Sequence, residues 1–395
     1  MIMSSREVYI VSACRTAIGD FGGVFKNVRA VDLAVPVAQD VVKRAGIEKA
    51  MVEDIIWGEC HQQLDQCNTA RVMGMKAGFP KEVPGVTINK VCTSAMRAII
   101  FGTQQILLGD SDIILAGGVE SMSSAPYVLR TARWGQRLQH GQMLDNIFEG
   151  FTCAIAKTLM GITAENLADK YGITREEQDT VALRSHENAI NAIKTGKFKD
   201  EIVPVSVPQK KGNPIIADTD EHPREGLTIE ALAKLPAAFK KGGTVTAGNA
   251  SGIDDGSAAV ILMSGERMNK LGLKPLAKVS AYSTAGVEAA LMGYGPVPAI
   301  EKILKNTGLK ISDIDLFEIN EAFAAQYIAC EKLLDFDREK TNVNGSGIAL
   351  GHPVGCSGAR ITVTLLHEMI KRNANRGIAS LCGMGGVATA ILIER

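Results

Sequence analysis

VEDIIWGE (52–59) and ISDIDLFEIN (311–320) share one pattern, an acidic turn followed by an apolar run that ends on a polar residue. Each reads as a short buried strand bounded by turn signals. The segments downstream of them are also alike. The first leads to a strand, GVTINKV (85–91), and an apolar helix, TSAMRAIIFGTQQILLG (93–109). The second leads to TNVNGSG (341–347), read as a strand, and the helix SGARITVTLLHEMIKR (357–372). A further strand closes each set, DIILAGG (112–118) in one and GIASLC (377–382) in the other. This spacing predicts an α/β fold built from a duplicated unit of about 120 residues, with parallel pairing through βαβ crossovers. Two copies packed back to back would bring their strand ends together, where α/β proteins form their sites.

Between the repeats the chain changes character. Residues 123–246 carry charged helices such as TREEQDTVALRSHENAINAIKTG (174–196), opened by a capping-box pattern at Thr174 and Glu177. Loops rich in Pro, Lys and Gly follow at 204–216 and 221–226. The stretch TVTAGNASGIDDGSAAVILM (244–263) then returns as a strand, a loop and a helix-like run. The division expected is a first half at 1–122 with 247–272, an inserted domain at 123–246, and a second half at 273–395.

Composition narrows the function. Of 395 residues 46% are hydrophobic and only 5% aromatic, which suits an aliphatic α/β core. The formal net charge is zero, so a nucleic-acid binder working through a basic face is not expected. No early apolar run has the length of a membrane span, and no signal-peptide pattern opens the chain. Eight irregularly spaced cysteines do not make a disulfide framework, which points to reduced thiols and a cytoplasmic location.

Four short motifs carry chemistry. Cys92 lies in INKVCTSAMRA (88–98), where a strand gives way to a helix whose N-terminus would stabilise a thiolate. Cys382 lies in SLCGMGGVATAIL (380–392), between two apolar strands. His352 sits in the glycine-rich turn of ALGHPVGCSGAR (349–360), and INEAFAAQ (319–326) places Asn320 and Glu321 at a strand end. Together they read as a thiol enzyme. Cys14, Cys60, Cys67, Cys153, Cys330 and Cys356 are expected to be structural. His61, His140, His186 and His367 are expected to be solvated or capping, and the glycines of LAGGVES (115–121) to serve tight strand–helix packing.

These motifs, with GNASGIDDGSAA (248–259), closely resemble the thiolase family, in particular its biosynthetic acetyl-CoA acetyltransferases, essentially from end to end. The resemblance implies two α/β halves stacked in five layers with an inserted loop domain. It implies that Cys92 is the nucleophile that takes an acyl group from acyl-CoA. His352 would activate it and donate to an oxyanion hole, Asn320 would hold a water completing that hole, and Cys382 would be the acid/base at the second acyl-CoA. Backbone amides at Cys92 and near residue 384 would form a pocket for the enolate oxygen. Coenzyme A would be held by Arg224 near the adenine, Ser251 on the pantetheine, and Phe239, Ala247 and Phe323 as packing surfaces. Leu159 and Met160 would face the acyl and pantetheine end. No metal and no resident cofactor is implied, since CoA and acyl-CoA are substrates. The resemblance also implies a homodimer or homotetramer.

Three positions depart from the family pattern. Ala95 and Met384 stand where the family usually has glycine, so a glycine-only backbone there would be strained. Leu159 replaces a common histidine, which makes the acyl end less polar and a longer 3-ketoacyl-CoA a candidate substrate. Two other functions compete. Ketoacyl-synthase-like condensing enzymes lack the second reactive cysteine that this chain has in its tail. A catalytically silent acyl-CoA-binding subunit would be expected to have lost reactive positions, and all four are present.

Overall fold

The computed structural model describes residues 6–64 and 66–395. Five strands make the main path of the first half's sheet, β1 (Val8–Arg15), β2 (Asp54–Gly58), β3 (Gly85–Ile88), β4 (Ile113–Ser121) and β5 (Asp254–Ser264), and the two residues Gly19–Asp20 add a short antiparallel pairing to β5. Their order is β3-β2-β4-β5-β1, with β2 parallel to both β3 and β4. Four strands make the second: β6 (Ala277–Gly286), β7 (Leu316–Ile319), β8 (Arg376–Gly383) and β9 (Val387–Glu394), in the order β7-β8-β9-β6. A short antiparallel seam, Tyr9 to Lys278 and Ile10 to Ala277, joins β1 to β6.

The duplication is visible in the register. Glu53 N–H bonds to the Ile113 carbonyl, and Asp315 N–H to that of Arg376. Counting from these two anchors, Gly58 occupies the place of Asn320, Glu59 that of Glu321, and Val119 that of Cys382. TNVNGSG is not a strand but a single parallel bridge, Phe317 to Thr341. Asn342 (φ 50°) and Gly345 (φ 76°) turn the chain away at once, yet the bridge lies beside β7 as β3 lies beside β2.

The segment expected to be helix-like before residue 263 is β5, and all of its eleven residues are buried. Covered on both faces and paired to β1 and β4 on both edges, it needs no polar alternation, so its sequence carries no period-2 signal.

Helices α1 (Ala30–Ala45) and α2 (Thr69–Ala77) cover the outer face of the first sheet. Helices α3 (Ser94–Leu108) and α8 (Ser357–Arg372) lie between the sheets and share one core with strands of both. Helices α4 (Met160–Tyr171), α5 (Arg175–Lys194), α6 (Pro296–Thr307) and α7 (Ala324–Leu334) contribute to the cluster on the outer side of the second sheet. The layers are therefore helix, sheet, helix, sheet, helix. Among the described residues, Val91–Leu108 is the one helical stretch long and apolar enough to cross a membrane. Its apolarity has another cause, because a helix sandwiched between two sheets must be hydrophobic nearly all round.

Two- and three-residue ribbons dominate the region between β4 and β5 outside its helices, at 127–128 with 144–145, 152–153 with 158–159, and 205–207 with 215–217. The capping box forms as the sequence predicts, with Thr174 and Glu177 closing the N-terminus of α5.

Candidate active site

Between β3 and α3 the chain makes one tight turn. Val91 adopts φ 53°, a left-handed conformation that strains a β-branched residue. Neighbours hold it there. Asn89 Oδ1 accepts from Val91 N–H at 2.9 Å, and the Val91 carbonyl accepts from Ser94 Oγ at 2.6 Å and Cys60 Sγ at 2.8 Å. The turn presents Cys92, half-buried, at the start of the central helix layer.

Helix-terminal stabilisation of a Cys92 thiolate is not the outcome. Burial pushes the thiol up to about 11; the backbone N–H groups of Met384 and of Cys92 itself pull it back, and the Glu120 charge pushes it further up. Two amide donors do not replace the lost water around a sulfur crowded by protein. The resting Cys92 side chain is a thiol. Those amides nonetheless converge on Cys92, so they suit an oxygen on a group bound to its sulfur rather than the enolate expected from sequence.

Cys382 ends β8 and is buried. Its thiol is raised well above the ordinary value by burial, then by the neighbouring Cys92 and Cys330. A Cβ placed on Gly383 would lie 3.7 Å from Cys92 N, so the two thiol-bearing segments are adjacent. The two departures expected to strain the backbone do not. Gly385 (φ 84°) and Gly386 (φ 83°) carry the left-handed turn after Met384, and Ala95 lies in the first turn of α3, packed near Gly58 and Gly118.

His352 sits on a turn clamped at both ends by carboxylates of the first half. Its N–H donates to Asp254 Oδ2 at 2.6 Å, and Gly355 N–H donates to Glu120 Oε2 at 2.9 Å. The ring Nδ1 lies 2.6 Å from Ser357 Oγ and 3.3 Å from Asn320 Nδ2. Burial, and then the Arg360 charge, lower the imidazole to about 3. The ring is therefore neutral at working pH, but the burial that keeps it neutral also weakens it as a base, so a proton it accepts must be matched by negative charge forming close by. Asn320 N–H bonds to the Ser380 carbonyl, and its Oδ1 lies 3.5 Å from an Arg360 guanidinium nitrogen. That contact leaves the amide nitrogen facing His352.

A second wall brings together most of the residues expected to bind CoA. Ala250 bridges to Phe323, Ser251 N–H bonds to the Ala322 carbonyl, and Phe239 meets the Phe323 ring edge-on at 6.1 Å. Any side chain at Gly161 would collide with the Phe239 ring. Met160 packs, with Phe239 and Met292, into the apolar cluster that contains Cys382. Leu159 precedes α4 and is half-buried; Ala247 is exposed and Ser251 half-buried. Arg224 is exposed, with its backbone N–H on His186 Nδ1 at 3.2 Å.

Several participants were misread or missed in the sequence. His61 and His186 are buried rather than solvated. Cys60 is structural as expected, and its thiol supports the Val91 turn beside Cys92. Ser357 and Glu120 went unread, although Ser357 stands five residues after the histidine. The glycines around Glu120 do pack tightly, Gly118 against Ala95 and Gly355. Among the described residues, Asp20, His222 and Asp254 could geometrically hold a metal ion. Their contacts are those of an imidazole hydrogen-bonded to a carboxylate, with His222 Nδ1 2.5 Å from Asp20 and 3.7 Å from Asp254.

Comparison with known proteins gives the family. Residues 8–266 match the thiolase N-terminal domain and residues 273–395 the thiolase C-terminal domain. The chain is 52% identical over 395 residues to an acetyl-CoA acetyltransferase of Syntrophomonas wolfei, covering 99% of each. It superposes on the crystal structure of the Bacillus anthracis acetyl-CoA acetyltransferase with TM-score 0.98, at 53% identity and 99% coverage of both chains. Human mitochondrial 3-ketoacyl-CoA thiolase superposes with TM-score 0.96 at 42% identity, covering 98% of both chains. The chain belongs to the thiolase family.

Proposed function

We propose that the protein is an acetyl-CoA C-acetyltransferase that joins two acetyl-CoA molecules, or cleaves a short 3-ketoacyl-CoA with CoA, through an acyl group on Cys92. The convergence of the Met384 and Cys92 amides on the Cys92 sulfur, with Cys382 alongside, carries this reading.

The neutral His352 ring takes the Cys92 proton as sulfur attacks the acyl-CoA carbonyl. The tetrahedral oxygen is held by the Met384 and Cys92 amides. It collapses to a thioester on Cys92, and the departing CoA sulfur takes the proton of the Cys382 thiol, which leaves Cys382 ionised opposite the protonated His352. A second acetyl-CoA then loses a methyl proton to Cys382, its enolate oxygen held by His352 and a water on Asn320. The carbanion attacks the Cys92 thioester, forming the carbon–carbon bond and expelling the Cys92 thiolate, which takes back the proton held by His352 so that both thiols and the ring end as they began. The surrounding protein holds both Cys92 and Cys382 neutral at rest, so neither thiol is a standing nucleophile toward solvent. CoA would lie along the Phe239, Ser251 and Phe323 wall, with Ala247 and Arg224 on its exposed side, and no resident cofactor or metal takes part.

Met160 and Met292 in the cluster around Cys382, and exposed Ile155 beside Gly385, favour a second reading in chain length. Each further buried methylene is worth about 0.8 kcal/mol. A 3-ketoacyl-CoA one or two carbons longer than acetoacetyl-CoA is then cleaved comparably well. We also infer a homodimer or homotetramer, supported by the open edge of β3, where Val86 is 44% exposed, and by Leu108 at 75%.

Brief exposure to acetyl-CoA followed by peptide mass spectrometry tests the chemistry. An acetyl adduct is expected on the Cys92 peptide; an adduct on another residue instead rejects the assignment. Measuring kcat/KM for acetoacetyl-CoA and its longer homologues decides the chain length.

A further inference from the structure

Glu120 ends β4, is fully buried, and has no part in the chemistry above. Its carboxylate accepts three backbone N–H groups from two different loops. Oε2 takes Gly355 at 2.9 Å and Cys60 at 3.0 Å, and Oε1 takes His61 at 3.0 Å. Gly355 belongs to the turn that carries His352. Cys60 passes the constraint on, because its thiol donates to the carbonyl of strained Val91, the residue before Cys92. One side chain is thus tied to the turn of the first half that aims the nucleophile and to the turn of the second half that aims the base.

We propose that Glu120 is a positioning residue that fixes the Cys92 turn and the His352 turn in one geometry, an inference that rests on the roles assigned above to those two residues. The carboxylate is required for a chemical reason. It offers acceptor sites only, on both oxygens, whereas an amide keeps one oxygen and turns an NH₂ toward donors that need an acceptor. Length matters as well, since one side chain must meet all three donors at 2.9 to 3.0 Å.

The charge has a second effect that separates positioning from mere structural support. The ionisable groups facing Glu120 are Glu59 on the neighbouring strand end, Cys60 and His61 on the loop after it, Cys92, Cys356 on the histidine turn, and Asp255 on β5. Its negative charge opposes ionisation of the Cys92 thiol. Neutralising it lets Cys92 ionise at lower pH even as the geometry for using the thiolate is lost.

The test uses E120Q and E120D in the full-length enzyme, after the acetyl adduct on Cys92 has been sought in the wild type. E120Q is expected to lose at least about tenfold in kcat with KM for acetoacetyl-CoA nearly unchanged. Its rate of Cys92 alkylation by iodoacetamide, followed on the Cys92 peptide, should rise at lower pH than in the wild type. E120D keeps the charge but is one methylene short, so it should lose kcat while its alkylation profile stays with the wild type. Wild-type kcat in either variant overturns the proposal, as does an alkylation profile that does not move in E120Q. Two variants that cannot be obtained folded also overturn it, since Glu120 would then be a folding requirement. If the wild type carries no Cys92 adduct, the proposed function falls with it; if the adduct is present and the variants fail these expectations, only the positioning role falls.

Discussion

β2 runs out through Gly58 and β4 passes through Val119, while the second half has Asn320 and Cys382 at the same two places in the register. Glycine at 58 lets the first turn of α3 press onto the sheet, for a Cβ there would lie 2.6 Å from the Ser94 carbonyl carbon and closer still to Ala95 N. The corresponding asparagine instead reaches out to the histidine. One copy of the repeat gave up side chains so that a helix start bearing the nucleophile could come close. The other kept its helix start and placed polar groups at the strand ends. The buried acids Glu59 and Glu321 differ in the same sense. Glu321 is satisfied by Ser185 at 2.6 Å and Asn342 at 2.8 Å, whereas among the described residues Glu59 has only Thr69 and leaves Oε1 without a partner.

The largest effect is expected where the halves differ most in chemistry. Cys382→Ala gives that position an apolar methyl, as Val119 is apolar. Condensation should fall by about 10³-fold or more, while exchange of labelled CoA into acetyl-CoA through Cys92 persists. Equal loss of both activities would mean that the two thiols do not divide the work.

Gly58→Ala attacks the close approach of the first half. The added methyl meets backbone rather than a flexible side-chain end, so α3 must shift at a cost of about 1–3 kcal/mol. A lower urea midpoint with a fall in kcat is expected. A variant as stable and active as the wild type would show that the glycine is not what seats the nucleophile.

The third effect concerns the unmatched acid, touches stability rather than turnover, and shows only as pH rises. Burial, and then the Glu120 charge, raise Glu59 to about 8 from 4.5. An acid raised in the fold is neutral there while ionised in the unfolded chain, so it costs stability increasingly as pH climbs from about 4.5 to 8. Glu59→Gln removes that cost. The variant should be more stable than the wild type by on the order of a few kcal/mol at pH 8, with the advantage fading by pH 5. A difference in melting temperature that is flat across that range would contradict the assignment.

How much of this is legible in the sequence depends on periodicity and residue type. The repeat shows itself because strand and helix segments recur in the same order around VEDIIWGE and ISDIDLFEIN, and the candidate site residues because Cys92, Cys382, His352 and Asn320 stand in distinctive small-residue contexts. β5 is hidden because a strand covered on both faces has no alternation, and its Ala, Gly and Ser content fits a helix as readily. TNVNGSG is over-read because a bridge and a strand begin alike, and only the backbone at Asn342 ends the pairing. Glu120 is lost among glycines that do have a packing role. The state of the Cys92 thiol is misjudged because a helix start is visible in sequence, whereas the depth of burial that overrides it is a property of the whole molecule.

β5 lies between β1 and β4, although the whole region of ribbons and helices from residue 122 to 253 precedes it in the chain. On the ribosome, β1 and β4 therefore emerge with bare edges and wait for a strand not yet synthesised. Pairing such as Val8 with Ser264 makes the contact order high, so sheet closure is a slow step and the waiting edges are open to wrong partners. A fragment ending before residue 254 lacks the strand that unites its sheet, and a nascent chain stalled there is the species most in need of a chaperone.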